Sequence, residues 1–531
     1  MKAISNQEKW INYILLIFFA ALAFYCAQKA TTGLFLPADD DTFRDMAIAE
    51  NIKLGMIWSD PSYVNELLWY NPGLPALEAF LSWLTGMPLN MILTHAGKYL
   101  NLLIPFTLFL LCARLFDKRI AFGAATASFF FVCGNDYGSH MSGYTYILLP
   151  ICFTQSLFYL ILIFTYKTFN SKKNLYFLLI GLLAGLLFLF HSAPSFIFCI
   201  ILGFLLLHSL LKKEINFKEA IIKGLLFSIT FLLVASPLLY NIFIHYSFHV
   251  KNIDPTQWVY FLFRPGNGGK LIEENVNIYL GIALIGLVHL VRNKSLHPTA
   301  RRIILYWFSI AIIIFIYLYI IVILRTKYGI QLPGFVPSVD IFFYLKACEA
   351  VLFGIGIVAI MNWIISKIGT RIKFNPNYLL YAIVLGLVLA RFPSYYTRKE
   401  FGRLRMLTQE KQQNGSFFMM YKWLKENTKI NDVILCSLDE AQYPVMASGR
   451  KLVVTGIYYS NPYVSYIDRK KDCDSLLQNL QQASVSPVLS DQYKIKYFIL
   501  KKSEQGKYIS AEKKFPVEAY NDDQYLIRKK Q

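Results

Sequence analysis

Residues 37–55 read PADDDTFRDMAIAENIKLG. Four aspartates, Asp39, Asp40, Asp41 and Asp45, lie within seven residues, directly after a long apolar segment. An aspartate at a helix start satisfies unpaired backbone N–H groups and suits the positive end of the helix dipole. Gly55 supplies a stop, so TFRDMAIAENIKLG predicts a helix. Capping accounts for one acid, which position assigns to Asp41. It does not require three in a row and a fourth one turn on. Like charges this close repel, and solvent, a cation or a proton has to relieve them. On a helix Asp41 and Asp45 share a face. The cluster is therefore a candidate general base, a candidate pair of metal ligands (Asp40 and Asp41, for Mg²⁺ or Mn²⁺), or both.

The surroundings of this stretch set the class of molecule. The chain has 531 residues, 56% hydrophobic and 16% charged, where a soluble protein carries about 25% charged residues. Many apolar runs approach the roughly 20 residues that cross a bilayer. About eleven spans are expected, over 10–28, 91–115, 119–134, 144–168, 174–191, 194–211, 219–246, 276–292, 302–324, 341–366 and 378–391. The fold class is an all-α polytopic membrane protein with a small C-terminal α/β domain. The net charge of +20 sits mostly in short loops between spans, which is the positive-inside pattern and not a nucleic-acid surface. Lys and Arg crowd the loops at 114–119, 167–173, 212–223, 292–302 and 367–373, and are sparser in the alternate set. Five loops agree, giving a cytoplasmic N-terminus and an outward C-terminal tail. The N-terminal apolar run has no small-residue cleavage pattern and reads as a retained helix.

The acidic stretch opens an outer loop of unusual length, residues 29–90. A second short helix, PALEAFLSWLTG, is bracketed by Pro75 and Gly86 and is apolar enough for the membrane interface. Residues 1–391 form the membrane module, 392–414 a basic connector and 415–531 the outer α/β domain. In that tail FMMYKWLKEN predicts a helix, and DVILCS, KLVVTG and KYFILKK predict short buried strands. Cys436 and Cys473 share the tail and are a candidate disulfide. No CxxC or CxxH motif occurs.

The other outward loops supply the remaining candidates. GNDYGSHMSGY (134–144) offers Asp136 as a second acid and His140 beside it. His191 ends an apolar helix in FHSAPSF. Arg264 and Lys270 bracket the glycine-rich RPGNGGKL, a shape suited to phosphate but not a P-loop, and Arg325 and Lys346 follow near the membrane surface. With Asp45 these form the candidate substrate-binding set.

This layout resembles the GT-C superfamily of polytopic glycosyltransferases, which includes protein O-mannosyltransferases, aminoarabinose transferases and catalytic oligosaccharyltransferase subunits. DDDTFRDMAIAENIKLG looks like that family's acidic motif after the first span, with Asp41 at the acidic position, and YNPGLPALEAF is similar to the element that follows. Thr42 stands where a second acid is frequent, so Asp40 and Asp41 both remain candidates for the base. The tail, MYKWLKENTKINDVILCS onward, resembles the outer domain of bacterial relatives. The resemblance implies a hexosyl- or pentosyltransferase of the bacterial inner membrane with a polyprenyl-phosphate-linked sugar donor. It implies a glycan, lipid or protein acceptor and inversion at the anomeric carbon. Topology agrees: nucleotide sugars are cytoplasmic and the acids lie outside. The rival readings are a lipid or solute transporter (a flippase) and an outer-face polysaccharide polymerase or ligase. A transporter places its charges within the spans, whereas the acids here gather at one face.

Overall fold

The computed structural model describes residues 6–37, 39, 41–133, 142–171, 173–252, 261–263, 273–330, 332–334, 336–368, 376–397, 415–439, 441–482 and 491–531. Among them, eight helices are long and apolar enough to cross a membrane, from Gly97–Leu115 with 19 residues to Pro298–Tyr328 with 31. The chain is an integral membrane protein. Leu175–Phe190 and Ile278–Arg292 are apolar but shorter. Lys118–Phe130 has 13 residues, about 20 Å of helix against a hydrocarbon core of about 30 Å. These three occupy expected spans without the full crossing length. The span expected over 91–115 is broken, and its apolar crossing begins at Gly97.

Contacts divide the chain into two compact units, residues 1–30, 97–235 and 256–403, and residues 31–96, 236–255 and 404–531. In the first, the long helix Ser338–Ile368 packs against Ile278–Arg292, Lys118–Phe130 and Pro298–Tyr328. Glycine makes one of these crossings close. A Cβ on Gly286 would lie 1.9 Å from the Leu352 carbonyl oxygen, and one on Gly356 1.9 Å from that of Ile282. Small residues let membrane helices approach backbone to backbone, where van der Waals contact replaces the missing hydrophobic drive.

The second unit is built on a five-stranded sheet of order β2-β1-β3-β5-β4. The strands are β1 (Val433–Leu435), β2 (Lys451–Leu452), β3 (Ile495–Lys501), β4 (Val517–Asn521) and β5 (Tyr525–Lys529). β1 pairs in parallel with β2 and β3, and the β4–β5 hairpin joins β3 antiparallel. The three parallel strands are those expected from the sequence; the hairpin is an addition. Both faces are covered, so side chains of opposite parity are apolar alike. Tyr497, Ile499 and Ile527 point into one core, and Phe498, Leu500 and Leu526 into the other. The second core takes Cys473, Leu476 and Leu480 from the helix Tyr466–Gln481. The first takes Met420, Tyr421 and Leu424 from Ser416–Asn427, the helix expected there, and also Leu36, Phe43, Met46, Ala49, Ala79 and Leu89. The long first loop is thus part of the hydrophobic core of the C-terminal domain. Cys436 and Cys473 are both free and buried in this unit, and the Cys473 thiol contacts the Cys436 carbonyl at 3.6 Å. The candidate disulfide is absent because these thiols serve as small apolar core groups.

Candidate active site

The helix that begins at the acids is Asp41–Lys53. Its first amide is held by Asp39, whose Oδ1 accepts from Asp41 N at 2.8 Å. The Asp39 carbonyl accepts from the Thr42 amide at 3.3 Å and also from the Thr42 hydroxyl. The capping contact is thus made by Asp39, two residues before the helix starts, where the sequence pointed to Asp41. Asp41 is half-buried at the first helical position. Asp40, its rival as the base, lies outside the described residues.

Asp45 is one turn on and faces inward, 0% exposed. Its Oδ1 accepts from Arg44 Nε at 3.1 Å and from Nη2 at 3.0 Å. The Arg44 guanidinium lies over the Tyr70 ring, 3.6 Å from its centre, a cation–π contact strengthened by burial. Burial pushes the Asp45 carboxyl above the usual range, against the opposing pull of Arg44. Asp45 thus faces the packed interior and not solvent. Packed against this helix is Gly73–Thr85, closed by Gly86 in the left-handed conformation at φ 70°. It joins Leu89–His95 through a bend of 114° and contributes Ala79 to the sheet's core. It carries Glu78, which is also 0% exposed. Burial first, then the negative charge of Asp45, pushes the Glu78 carboxyl well up. Glu78 is not among the residues expected from the sequence; its signal there is a single acid in the otherwise apolar PALEAFLSWLT.

A buried polar cluster fastens the rest of the loop to the C-terminal domain. Asp60 Oδ1 accepts from Ser62 N at 2.7 Å and Tyr63 N at 2.8 Å, and Oδ2 accepts from Asn461 Nδ2 at 3.0 Å. Lys451 Nζ donates to the carbonyls of Asp60, at 2.5 Å, and Pro61, at 3.3 Å. Tyr63 and Ser460 pair their hydroxyls at 2.9 Å. Arg469 lies over the Tyr63 ring at 4.0 Å. Burial raises the Asp60 carboxyl, lowers the Lys451 ammonium to about 8 and pushes the Tyr63 phenol up to about 12.

In the membrane unit, His191 Nε2 lies 3.8 Å from Asp340 Oδ2, at the start of the helix Ser338–Ile368. Lys346 is 4% exposed, and its Nζ meets Glu349 Oε2 at 2.6 Å one turn along that helix. Its charge is therefore matched on its own helix. Arg325 ends Pro298–Tyr328 in the last turn before Gly329. Asp136, His140, Arg264 and Lys270 lie outside the described residues. Among the described residues, no three His, Cys, Asp or Glu side chains are placed to hold a metal ion. Asp40, one of the two candidate metal ligands, lies outside the described residues.

No family model matches the chain, and a search of curated proteins finds no relative. Solved structures do match. The apo oligosaccharyltransferase of Archaeoglobus fulgidus aligns with 96% of this chain and 72% of its own, at 14% identity and a TM-score of 0.59. The same archaeon's oligosaccharyltransferase AglB, in complex with an inhibitory peptide and a dolichol-phosphate, aligns over 93% and 70%, at 14% identity and a TM-score of 0.56. ArnT from Cupriavidus metallidurans, bound to undecaprenyl phosphate, aligns over 97% of both chains, at 12% identity and a TM-score of 0.56. The chain shares the fold of these structures, in agreement with the fold expected from the resemblance.

Proposed function

We propose that this chain is a membrane glycosyltransferase that moves a sugar from a polyprenyl-phosphate-linked donor to an acceptor hydroxyl on the outer face of the membrane. The observation that carries the reading is the end-to-end match with ArnT, 97% of both chains, in a structure bound to undecaprenyl phosphate. Local chemistry supports it. Asp39 and Asp41 are both half-buried, Asp39 is engaged in holding the helix start and Asp45 is buried against Arg44, so Asp41 is the acid we assign as the base. It stands in the first turn of its helix, where the positive end of the helix dipole suits a negative charge.

Asp41 takes the proton of the acceptor hydroxyl as that oxygen attacks the anomeric carbon. The bond from that carbon to the phosphate oxygen breaks, its electron pair leaves with the phosphate, and the configuration inverts. Cations stabilise the charge developing on the phosphate. Arg325, Arg264 and Lys270 are the proposed groups, with Lys346 in its Glu349-paired form. Asp136 is the proposed second acid, and His140 and His191 the proposed sugar contacts. The bacterial inner membrane, with a cytoplasmic N-terminus, is the proposed setting. Hexosyl and pentosyl donors are both within the reading, and a panel of lipid-linked sugars decides between them.

The test is Asp41→Asn and Asp40→Asn, singly and together, assayed with a lipid-linked donor. Asp41→Asn is expected to lower transfer by about 10²- to 10⁴-fold, the usual worth of a positioned base. Undiminished transfer by both singles and the double would refute the assignment.

A further inference from the structure

Two carboxylates are buried together in the first loop, and one guanidinium serves the pair. Arg44 Nε and Nη2 both donate to Asp45 Oδ1. Asp45 Oδ2 and both oxygens of Glu78 have no hydrogen-bond partner among the described residues. The helices packed against Gly73–Thr85 are Asp41–Lys53 and Leu89–His95. Their titratable and charged groups are Asp41, Arg44, Asp45, Glu50, Lys53 and His95. Two of these are engaged elsewhere: Glu50 with Lys425 at 3.3 Å, and His95 with the Leu34 carbonyl at 3.1 Å. Lys53 is exposed and its Nζ donates to the Ser82 hydroxyl at 3.0 Å, one turn from Glu78 on the same helix, yet no cation on these helices hydrogen-bonds to either Glu78 oxygen. An ionised, unpaired carboxylate in that position is strongly disfavoured, and proton uptake is the low-cost relief. The guanidinium fixes which acid stays ionised: Asp45 has it and Glu78 does not.

We propose that Glu78 is held as a neutral carboxylic acid that shares its proton with Asp45 Oδ2, and that this pair positions Arg44 and the helix bearing Asp41. Glu78 is a positioning residue, since it acts through Asp45 and not on the reacting atoms. Asp45 then accepts on both oxygens, from the guanidinium on one side and the acid on the other. The side chain of Arg44 is in turn held against Tyr70. A rigid supporting shell of this kind holds a reacting group in its productive geometry. The effect on transfer rests on the proposed function; the protonation state does not.

Infrared spectroscopy of the purified full-length protein at neutral pH tests the proposal. Wild type is expected to show the C=O stretch of a protonated carboxyl group, and Glu78→Gln to lose that component. The amide introduced by Glu78→Gln keeps a neutral donor facing Asp45, so the variant should retain near-wild-type transfer at neutral pH. It should also lack the alkaline loss of activity that ionisation of Glu78 produces in wild type. A wild-type spectrum without the band overturns the proposal, with no variant needed. So does a band that survives Glu78→Gln unchanged. A wild-type protein inactive toward every lipid-linked donor would overturn the proposed function and leave the infrared result standing.

Discussion

Replacing Asp60 or Lys451 alone should harm the protein more than half as much as replacing both. The two bury opposite charges close together, at 1% and 2% exposure, and the carboxylate accepts its hydrogen bonds from neutral donors. Burial acts on both in the unfavourable direction, raising the acid and lowering the base. For Lys451 the difference between 10.5 and about 8 corresponds to a penalty of about 3 kcal/mol on its charged form. Removing one partner leaves the other charge buried alone, at a cost of about 3–5 kcal/mol. Asp60→Asn falls at the upper end, because Lys451 then faces only carbonyls. Lys451→Met falls at the lower end, because three donors still hold Asp60. The double variant buries neither charge and is expected to cost less than the sum of the singles by at least about 2 kcal/mol. Site-resolved alkylation of Cys436 and Cys473 against urea, read by mass spectrometry, reports the opening of this unit. Wild type should also gain stability on going from pH 8 to 10.5, where the folded chain has released the Lys451 proton and the unfolded chain still binds it. Below pH 8 that contribution is constant. Lys451→Met should lack the rise. Additive singles, or an equal rise in Lys451→Met, would refute the reasoning.

Gly286→Ala and Gly356→Ala should each abolish accumulation of the folded protein. The new methyl group meets a backbone carbonyl at 1.9 Å, and a backbone cannot move aside as a side chain can. Recovery of monodisperse protein by size-exclusion chromatography checks this, and a wild-type yield from either variant counts against the close crossing. Asp39→Ala should cost about 1 kcal/mol of local stability, and Asp39→Ser should restore most of it, as at helix caps generally. Hydrogen exchange at the Asp41 and Thr42 amides is the readout, and unchanged protection in Asp39→Ala would assign the cap elsewhere.

The features legible in the sequence are those written in local order. Gly55 and Gly86 stop their helices with φ of 80° and 70°, as a residue without a Cβ allows. The short parallel strands are visible as apolar runs, and the membrane helices as longer ones. Which aspartate caps is not legible, because the entry to the helix depends on backbone geometry at residues whose side chains are alike. Glu78 escapes notice because one acid on an apolar helix has no periodicity. The Asp60–Lys451–Asn461 cluster leaves no trace, since Lys451 and Asn461 stand 391 and 401 positions from Asp60. The β4–β5 hairpin is hidden because β4 is largely exposed and lacks an apolar alternation.

The core shared by Phe43, Met46 and Leu89 with Met420, Ile434 and Ile527 imposes an order of events on the nascent chain. The acidic helix emerges with the first loop and its nearby partners Leu36, Ala79 and Leu89, yet the helix and sheet that complete its core are synthesised more than three hundred residues later. Until then its buried face has no sheet to cover. The loop that leaves the ribosome among the earliest is therefore among the last to mature. Translation that stops short of β5 leaves the acidic helix without the sheet that completes its core.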